Sequence, residues 1–341
     1  MQPSTDTSVA QPVEVSASTL ASIQALVRSE LDQVGSELRR IVLSDFEMIE
    51  EVNAHLLFLQ GKLFRPTLLL LSSRVGRGGG GAENVRTLAA VVELVHLATL
   101  VHDDAVDHSV LRRGMPTVNA LWTHQVAIIM GDYLYSRAVT ELAHRGHLDA
   151  LTVLAGAANK MSVGEMRQLT SYDALDFTEQ DYYRLIAAKT ASLMSASCEM
   201  GSLVGEAKCR EQLARFGHNL GMAFQIADDL LDYTGSEAVT GKPTGQDLRE
   251  HKVTLPLIGA LASATEAEDR EIRTLFTKDA PSDDDIQRVM GIVAERGGLE
   301  YAKGRADYYA GLARTSLTGL AEGVAVEALS DAVDYVVDRR R

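Results

Sequence analysis

The chain contains few of the residues that cross-link or interrupt a fold. Among 341 residues there are 2 cysteines, 7 prolines and 1 tryptophan, and aromatic residues make up only 5%. Cys198 and Cys209 have no zinc-type spacing and no second pair, so we expect reduced thiols and no disulfide framework. Scarce proline and aromatics, together with much alanine and leucine, predict an all-α protein.

Positive charge is also scarce. The 33 Lys and Arg against 47 Asp and Glu leave a net charge of −14, which argues against a nucleic-acid partner or stable docking on an anionic membrane. We find no apolar run of about eighteen residues, so no transmembrane span is expected. Residues 1–17 lack a basic start and an apolar core, so they do not resemble a signal peptide and are expected to form a disordered tail. The expected reduced thiols indicate a cytoplasmic protein.

The stretch 101–116, VHDDAVDHSVLRRGMP, groups carboxylates with arginines. Asp103 and Asp107 are four residues apart, so a helix places them on one face. Sparse hard oxygen ligands suit Mg²⁺, which takes its other ligands from water and phosphate. Arg112 and Arg113 follow, and the guanidinium fork matches phosphate. The alternative for this stretch alone is a solvated charged turn.

A second acidic stretch, FQIADDLLDYTG, repeats the spacing with Asp228 and Asp232. Its flanking residues are apolar, so these carboxylates are expected to point into a lined cavity. Two acidic pairs on apolar helices require compensation, which disfavours a purely structural helical bundle.

These two stretches resemble the first and second aspartate-rich motifs of the trans-isoprenyl diphosphate synthases, or polyprenyl synthetases. Further segments resemble that family in its usual order, namely GKLFRP at 61–66, ELVHLATLVHDD at 93–104, AAKTASL at 187–193 and GKPTGQDLREHKVTLPL at 241–257. The resemblance runs from about residue 20 to the C-terminus. It implies one domain, residues 18–341, built as an all-α bundle of about ten or more helices around a central cavity, and a homodimer.

The resemblance also implies a division of labour among side chains. Two or three Mg²⁺ ions would be held by Asp103, Asp107, Asp228 and Asp232. The allylic diphosphate would be bound by Arg112, Lys189, Thr190 and Gln225, under a lid that carries Lys242 and Lys252. Glu165 and Gln168 resemble cavity-facing polar residues. The expected catalytic set is Asp103, Asp107, Lys189, Asp228 and Lys242.

A second diphosphate, that of isopentenyl diphosphate, would be bound by Lys62, Arg65, His96 and Arg113. Pro66 suits the first turn of a helix, whose N-terminal end favours an anion. Lys62 and Arg65 could instead be ordinary surface residues, and His96 a core histidine. Leu63 departs from the family, which most often has a basic residue there, so one phosphate contact is missing or supplied elsewhere.

The implied reaction is head-to-tail prenyl transfer. An allylic diphosphate loses diphosphate, isopentenyl diphosphate attacks the resulting carbocation, and a proton leaves. Metal-held charge would stabilise the leaving group. A lid excludes water from the carbocation.

Product length is partly encoded in the helix before Asp103. Ala98 and Thr99 stand where shorter-chain members tend to have bulky aromatics. From Asp103 back to Leu88 the helix spans roughly 22 Å, room for about five or more isoprene units of about 4–5 Å each. This favours a long all-trans product, by analogy for a quinone side chain. Tyr135 is either the tunnel floor or a core tyrosine.

Three alternatives remain open at this point. A geranylgeranyl-length synthase would use the same site. A class I terpene cyclase needs no second diphosphate site, so the residues predicted for that site argue against it, namely Lys62, Arg65, His96 and Arg113. A non-catalytic subunit of a heteromeric synthase should have lost aspartates, and both clusters are intact.

Overall fold

The computed structural model describes residues 18–58, 61–76, 82–169, 174–235 and 244–338. The predicted tail at 1–17 and the predicted substrate ligand Lys242 lie outside these residues.

The N-terminal part is helical from Leu20. A capping box, in which the Thr19 side chain accepts a hydrogen bond from the backbone N–H of Ser22, starts the first helix. A 3₁₀ turn at Ala25–Val27 joins the first two helices. The helices are α1 (Leu20–Gln24), α2 (Arg28–Ile41), α3 (Glu47–Phe58) and α4 (Phe64–Ser73).

The central part begins with α5, Ala82–Val106, which carries the first aspartate cluster at its end. A two-stranded hairpin follows, with β1 at Leu111–Arg112 paired antiparallel to β2 at Met115–Pro116. The two turn residues, Arg113 and Gly114, have φ of 52° and 75°, as a tight type I′ hairpin requires. Then come α6 (Val118–Leu121), α7 (His124–His144) and α8 (Leu148–Leu169).

The C-terminal part contains the second aspartate cluster. A π-helical turn at Ala187–Ala191 joins the helices on either side of it. The helices are α9 (Glu179–Ile186), α10 (Ser192–Val204), α11 (Arg210–Thr234), α12 (Gln246–Arg249), α13 (Leu255–Leu261), α14 (Glu266–Phe276), α15 (Asp283–Glu295), α16 (Gly298–Leu317) and α17 (Val324–Val337). Short 3₁₀ turns occur at Ala174–Asp176 and Ala207–Cys209.

The predicted all-α fold is confirmed, with several differences in detail. The hairpin was not predicted, because two-residue strands leave no alternation in the sequence. Helix α14 was also missed, since Ile272 and Leu275 are its only buried apolar positions. The segment predicted as one helix over 298–340 is two, separated near Gly319, where φ is 83°.

Helix α5 forms the centre of the bundle and packs against α2, α4, α7, α8 and α10. Val91, Val92 and Leu94 on it are fully buried. Among the residues described, its segment 83–106 is the one stretch long and apolar enough to cross a membrane by composition, and 72% of that window is buried inside the bundle. The apolar composition is thus that of a core helix.

Candidate active site

The first aspartate cluster lies where α5 ends. Asp103 is half-buried and Asp107 is exposed just past the last helical residue. Burial raises the pKa of Asp103 to about 6, the nearby carboxylates of Glu165 and Asp107 add to the rise, and the Lys189 charge opposes it. A cation bound here would relieve this carboxylate repulsion.

Asp104, between them, has a different environment. It is buried, and its two oxygens accept hydrogen bonds from Arg112 Nε and Nη2 at 2.7 and 2.8 Å. The hairpin therefore brings Arg112 back against the helix that carries the cluster. Arg112 was predicted to bind the substrate diphosphate, and its pairing with Asp104 was not predicted.

The second cluster lies near the end of α11. Asp228 is exposed, whereas Asp229 is buried. Asp232 accepts hydrogen bonds from the backbone N–H groups of Gln246 and Asp247, both at 3.0 Å, and so caps α12. A metal ion at Asp232 would have to share oxygens already engaged by the backbone.

Asp229 organises the polar residues around it. Tyr182 donates its hydroxyl proton to one oxygen at 2.5 Å, and the amide of Gln225 donates to the other at 2.9 Å. The amide oxygen of Gln225 in turn accepts from the Thr190 hydroxyl at 2.7 Å. Burial raises the pKa of Asp229. Gln225 and Thr190, both predicted substrate ligands, are thus joined.

Lys189 projects from the π-helical turn, a feature that often marks a functional position. It forms an ion pair with Glu165 and donates a hydrogen bond to Gln168 Oε1 at 3.0 Å. The charge of Lys189 also lowers the pKa of Asp103. The predicted diphosphate-binding lysine therefore interacts electrostatically with the predicted metal ligand.

Lys252 connects the two clusters. Its ammonium nitrogen lies 3.7 Å from Asp107 Oδ2 and 2.6 Å from Glu250 Oε2. It follows α12, the short helix capped by Asp232. The segment that carries Lys252 therefore contacts the first cluster while the second cluster anchors its start.

The predicted second diphosphate site assembles at the start of α4. Arg65 Nη1 lies 3.1 Å from His96 Nε2, and Lys62 donates a hydrogen bond to the Tyr335 hydroxyl at 3.3 Å. A Cβ at Gly61 would lie 2.7 Å from Nη2 of Arg113, so the missing side chain makes room for that guanidinium. Burial and the neighbouring arginines hold the pKa of His96 well below its usual value, which leaves a neutral imidazole.

Leu63 does not take the place of a basic residue here. Its backbone is left-handed, with φ of 52°, and its side chain packs against the main hydrophobic core. The phosphate contact that the family usually makes from this position is therefore unavailable from Leu63.

Glu93 is a site residue that the sequence reasoning overlooked. It is 3% exposed and lies one helical turn before His96 on α5. Burial raises its pKa to about 6, while the charges of Arg65 and Arg113 pull it down. The available signal was an acidic residue in an otherwise apolar helix segment.

The residues predicted to set product length lie along α5 and α7. Ala98 is 2% exposed, and Thr99 is partly buried with its hydroxyl bonded to the His96 carbonyl at 2.8 Å. Tyr135 is partly buried and packs on the main core. The face of α5 behind Ala98 is lined by Val95 and Val91, both buried.

No three His, Cys, Asp or Glu side chains converge to enclose a metal ion within the ranges that the structure covers. Mg²⁺ is usually held by one or two carboxylates and by substrate phosphate rather than by an all-protein cage. The donor set of Asp103, Asp107 and Asp228 consists of hard oxygens, so it fits that ion.

Comparison with known proteins gives a consistent result. Residues 46–293 match the polyprenyl synthetase family. Heptaprenyl diphosphate synthase component 2 of Geobacillus stearothermophilus is 35% identical over 324 residues, covering 94% of this chain and 99% of the relative.

Solved structures agree with this assignment over nearly the whole chain. A decaprenyl diphosphate synthase from Rhodobacter capsulatus is 38% identical with a TM-score of 0.88, covering 95% of this chain and 100% of its own. A polyprenyl synthase from Caulobacter crescentus CB15, complexed with calcium and isoprenyl diphosphate, is 32% identical with a TM-score of 0.89, covering 96% and 99%. The predicted prenyltransferase class is confirmed, and the chain belongs to the polyprenyl synthetase family.

Proposed function

We propose that this protein is a Mg²⁺-dependent trans-prenyltransferase that condenses isopentenyl diphosphate with allylic diphosphates into a long all-trans polyprenyl diphosphate. The observation that carries the proposal is the presence of two separate groups of side chains suited to a diphosphate. One contains Arg65, Arg113 and the neutral His96, and the other lies between the two aspartate clusters.

The allylic diphosphate site is defined by the chain's own residues. Asp103, Asp107 and Asp228 would hold Mg²⁺, which neutralises charge on the departing diphosphate. The related structure from Caulobacter crescentus is complexed with calcium, which supports the use of a divalent ion. Lys189, whose charge acts on Asp103, would pair its ammonium group with the diphosphate.

Three further groups orient that diphosphate. Arg112 presents a guanidinium beside Asp104, and Thr190 and Gln225 are joined by a hydrogen bond of 2.7 Å. Lys252, next to Asp107, would close over the bound diphosphate and exclude water from the allylic carbocation. Lys242 is proposed for the same role, although it lies outside the described residues.

The second site holds isopentenyl diphosphate so that its double bond meets the allylic carbon. The diphosphate would be bound by Lys62, Arg65 and Arg113. The neutral His96 would contribute a hydrogen bond. Holding both reactants in register converts a bimolecular step into an effectively unimolecular one. The departing diphosphate is the proposed acceptor of the proton released after the new bond forms.

A long product is proposed from the wall behind Asp103. Ala98 is small and buried, and Val95 and Val91 continue the apolar face along α5. The 38% identity to a decaprenyl diphosphate synthase supports the same conclusion. A quinone side chain is the proposed destination, and a geranylgeranyl-length product is the alternative.

Assembly and location are part of the proposal. Helix α7 exposes Ile128 and Ile129, the latter by 63%, which supports pairing of two copies through an apolar surface. We propose a cytoplasmic homodimer with no nucleic-acid partner and no stable membrane insertion. A heteromeric synthase is the competing assembly, because the Geobacillus relative is named as component 2.

The test is an extension assay with Mg²⁺, radiolabelled isopentenyl diphosphate and, in separate reactions, dimethylallyl, geranyl, farnesyl and geranylgeranyl diphosphates. The expected result is a ladder of products that ends at one length beyond twenty carbons. A ladder ending at twenty carbons would identify the geranylgeranyl-length enzyme. A cyclic hydrocarbon formed without isopentenyl diphosphate would identify a cyclase and overturn the proposal.

A further inference from the structure

The middle aspartate of each cluster is placed differently from its neighbours. Asp104 is 8% exposed and Asp229 is 6% exposed, whereas Asp107 and Asp228 are open to the surface. The two clusters lie on different helices, α5 and α11, so the same arrangement has arisen twice in the fold.

Both oxygens of Asp104 are already used. Arg112 Nε and Nη2 approach Oδ2 and Oδ1 at 2.7 and 2.8 Å, the parallel fork that gives carboxylate–guanidinium pairs their geometric specificity. Arg112 is otherwise a long flexible side chain on a two-residue strand. The pair fixes its guanidinium at the end of α5.

Both oxygens of Asp229 are also used. Tyr182 occupies one and Gln225 the other, at 2.5 and 2.9 Å. Since the amide nitrogen of Gln225 donates to Asp229, its amide oxygen must face the opposite way, where it accepts from Thr190 at 2.7 Å. Asp229 therefore decides which end of the Gln225 amide faces Thr190.

We propose that Asp104 and Asp229 are positioning residues and do not bind metal. Asp104 aims Arg112 at the allylic diphosphate, and Asp229 sets the orientation of Gln225 and Thr190 toward the same group. This inference rests on the proposed function, because it concerns the same allylic site. It assigns Asp103, Asp107 and Asp228 to the ion and the two middle residues to the protein's own ligands.

A metal ligand and a positioning residue differ in their effect on the Mg²⁺ concentration that pyrophosphate binding requires. Inorganic pyrophosphate binding, measured by calorimetry over a series of Mg²⁺ concentrations, reports the ion requirement without turnover. Asp104→Asn and Asp229→Asn are compared with the outer variants Asp103→Asn and Asp228→Asn. Each substitution is the same chemical change, so the outer variants are matched controls.

The middle variants are expected to weaken pyrophosphate binding on the order of 10- to 100-fold, the usual effect of losing a group that orients a ligand. Their dependence on Mg²⁺ concentration should stay that of the native protein. The outer variants should raise the Mg²⁺ concentration needed for half-maximal binding. A middle variant that shifts the Mg²⁺ requirement as an outer variant does would overturn the proposal.

A double-mutant cycle tests the link through Arg112. If Asp104 acts only by aiming Arg112, Asp104→Asn combined with Arg112→Gln should bind pyrophosphate no more weakly than Arg112→Gln alone. Additive losses would contradict the proposal.

Tyr182→Phe provides the second route at the other cluster, should Asp229→Asn fail to fold. It removes one hydrogen bond to Asp229 and should weaken pyrophosphate binding at an unchanged Mg²⁺ requirement. Tyr308→Phe, on a residue 52% exposed, is the control. If the native protein, Tyr182→Phe and Tyr308→Phe all bound pyrophosphate equally well, the proposed positioning role of Asp229 would be contradicted. All of these experiments measure pyrophosphate binding and not turnover. If the extension assay failed while pyrophosphate still bound, the proposed function would be rejected, but the binding data would still test the roles of Asp104 and Asp229.

Discussion

Arg65 Nη1 lies 3.1 Å from His96 Nε2, although the two residues are 31 positions apart in the chain. The contact joins the start of α4 to the middle of α5. Arg65 can only donate, so the imidazole accepts on Nε2 and carries its proton on Nδ1. The depressed pKa of His96 agrees with this neutral form.

His96→Leu is therefore expected to raise the KM for isopentenyl diphosphate about tenfold or more, the effect of losing a hydrogen bond near charged groups. The KM for the allylic diphosphate should be unchanged, since that substrate is bound elsewhere. Steady-state kinetics with each substrate varied in turn measures both constants. His96→Gln, which keeps a donor and an acceptor, should restore most of the affinity. An equal rise in both KM values would contradict the separate-site account.

The buried Glu93 predicts a pH-dependent stability. Its pKa is raised from 4.5 to about 6, so between those values the folded state binds more protons than the unfolded state, and stability falls as pH rises. The cost above pH 6 is about 2 kcal/mol, from a shift of about 1.5 units at 1.36 kcal/mol each. Glu93→Gln resembles the protonated form and should remove this cost.

Urea unfolding of the native protein and of Glu93→Gln at pH 4.5 and pH 7.5 measures the difference. At pH 7.5 Glu93→Gln should be more stable than the native protein, and at pH 4.5 the two proteins should be equally stable. Glu83→Gln, an exposed glutamate on the same helix, is the control and should show no such change. A variant less stable than the native protein at pH 7.5 would contradict this account, because the Glu93 charge would then stabilise the fold.

Product length should respond to Ala98. Ala98→Phe places a ring on the buried face of α5, where Ala98 is 2% exposed and the proposed tunnel begins. The product is expected to shorten, because the ring blocks the wall five residues, or roughly 7.5 Å, from Asp103. Product analysis after dephosphorylation measures this. Ala143→Phe, at an exposed position on α7, is the control. An unchanged product distribution for Ala98→Phe would remove Ala98 from the tunnel.

Close helix packing makes a stability prediction independent of the site. A Cβ at Gly201 on α10 would lie 2.3 Å from the Leu69 carbonyl oxygen on α4. Gly201→Ala should therefore destabilise the protein by about 1–3 kcal/mol through overpacking. Gly304→Ala, on α16 with no heavy atom within 4 Å, should stabilise it by up to about 1 kcal/mol. Denaturant unfolding of both variants decides this, and a neutral Gly201→Ala would mean that α10 and α4 can separate freely.

The sequence predicted the fold class because long helices such as α5 and α11 carry strong apolar patterns. It missed α14, where a capping box of Thr265 and Glu268 was the main signal. It also missed the hairpin, although Arg113 and Gly114 are a turn pair whose positive φ values allow a two-residue loop.

The candidate site residues were predicted from spacing and resemblance, but their partners were not. Spacing on one helix cannot show that Arg112 returns to Asp104, because that contact depends on the hairpin. Nor can it show that Asp232 caps α12, because the intervening chain decides where that helix starts. Tertiary contacts between distant segments determine these pairings.

The central claim is that two diphosphates bind at two separate sites. A crystal structure with Mg²⁺, isopentenyl diphosphate and an unreactive allylic thiodiphosphate tests this directly. We predict metal ions between Asp103, Asp107, Asp228 and the thiodiphosphate, with isopentenyl diphosphate against Arg65, His96 and Arg113. A single diphosphate at the aspartate clusters, with no density at the Arg65 site under saturating isopentenyl diphosphate, would contradict the account.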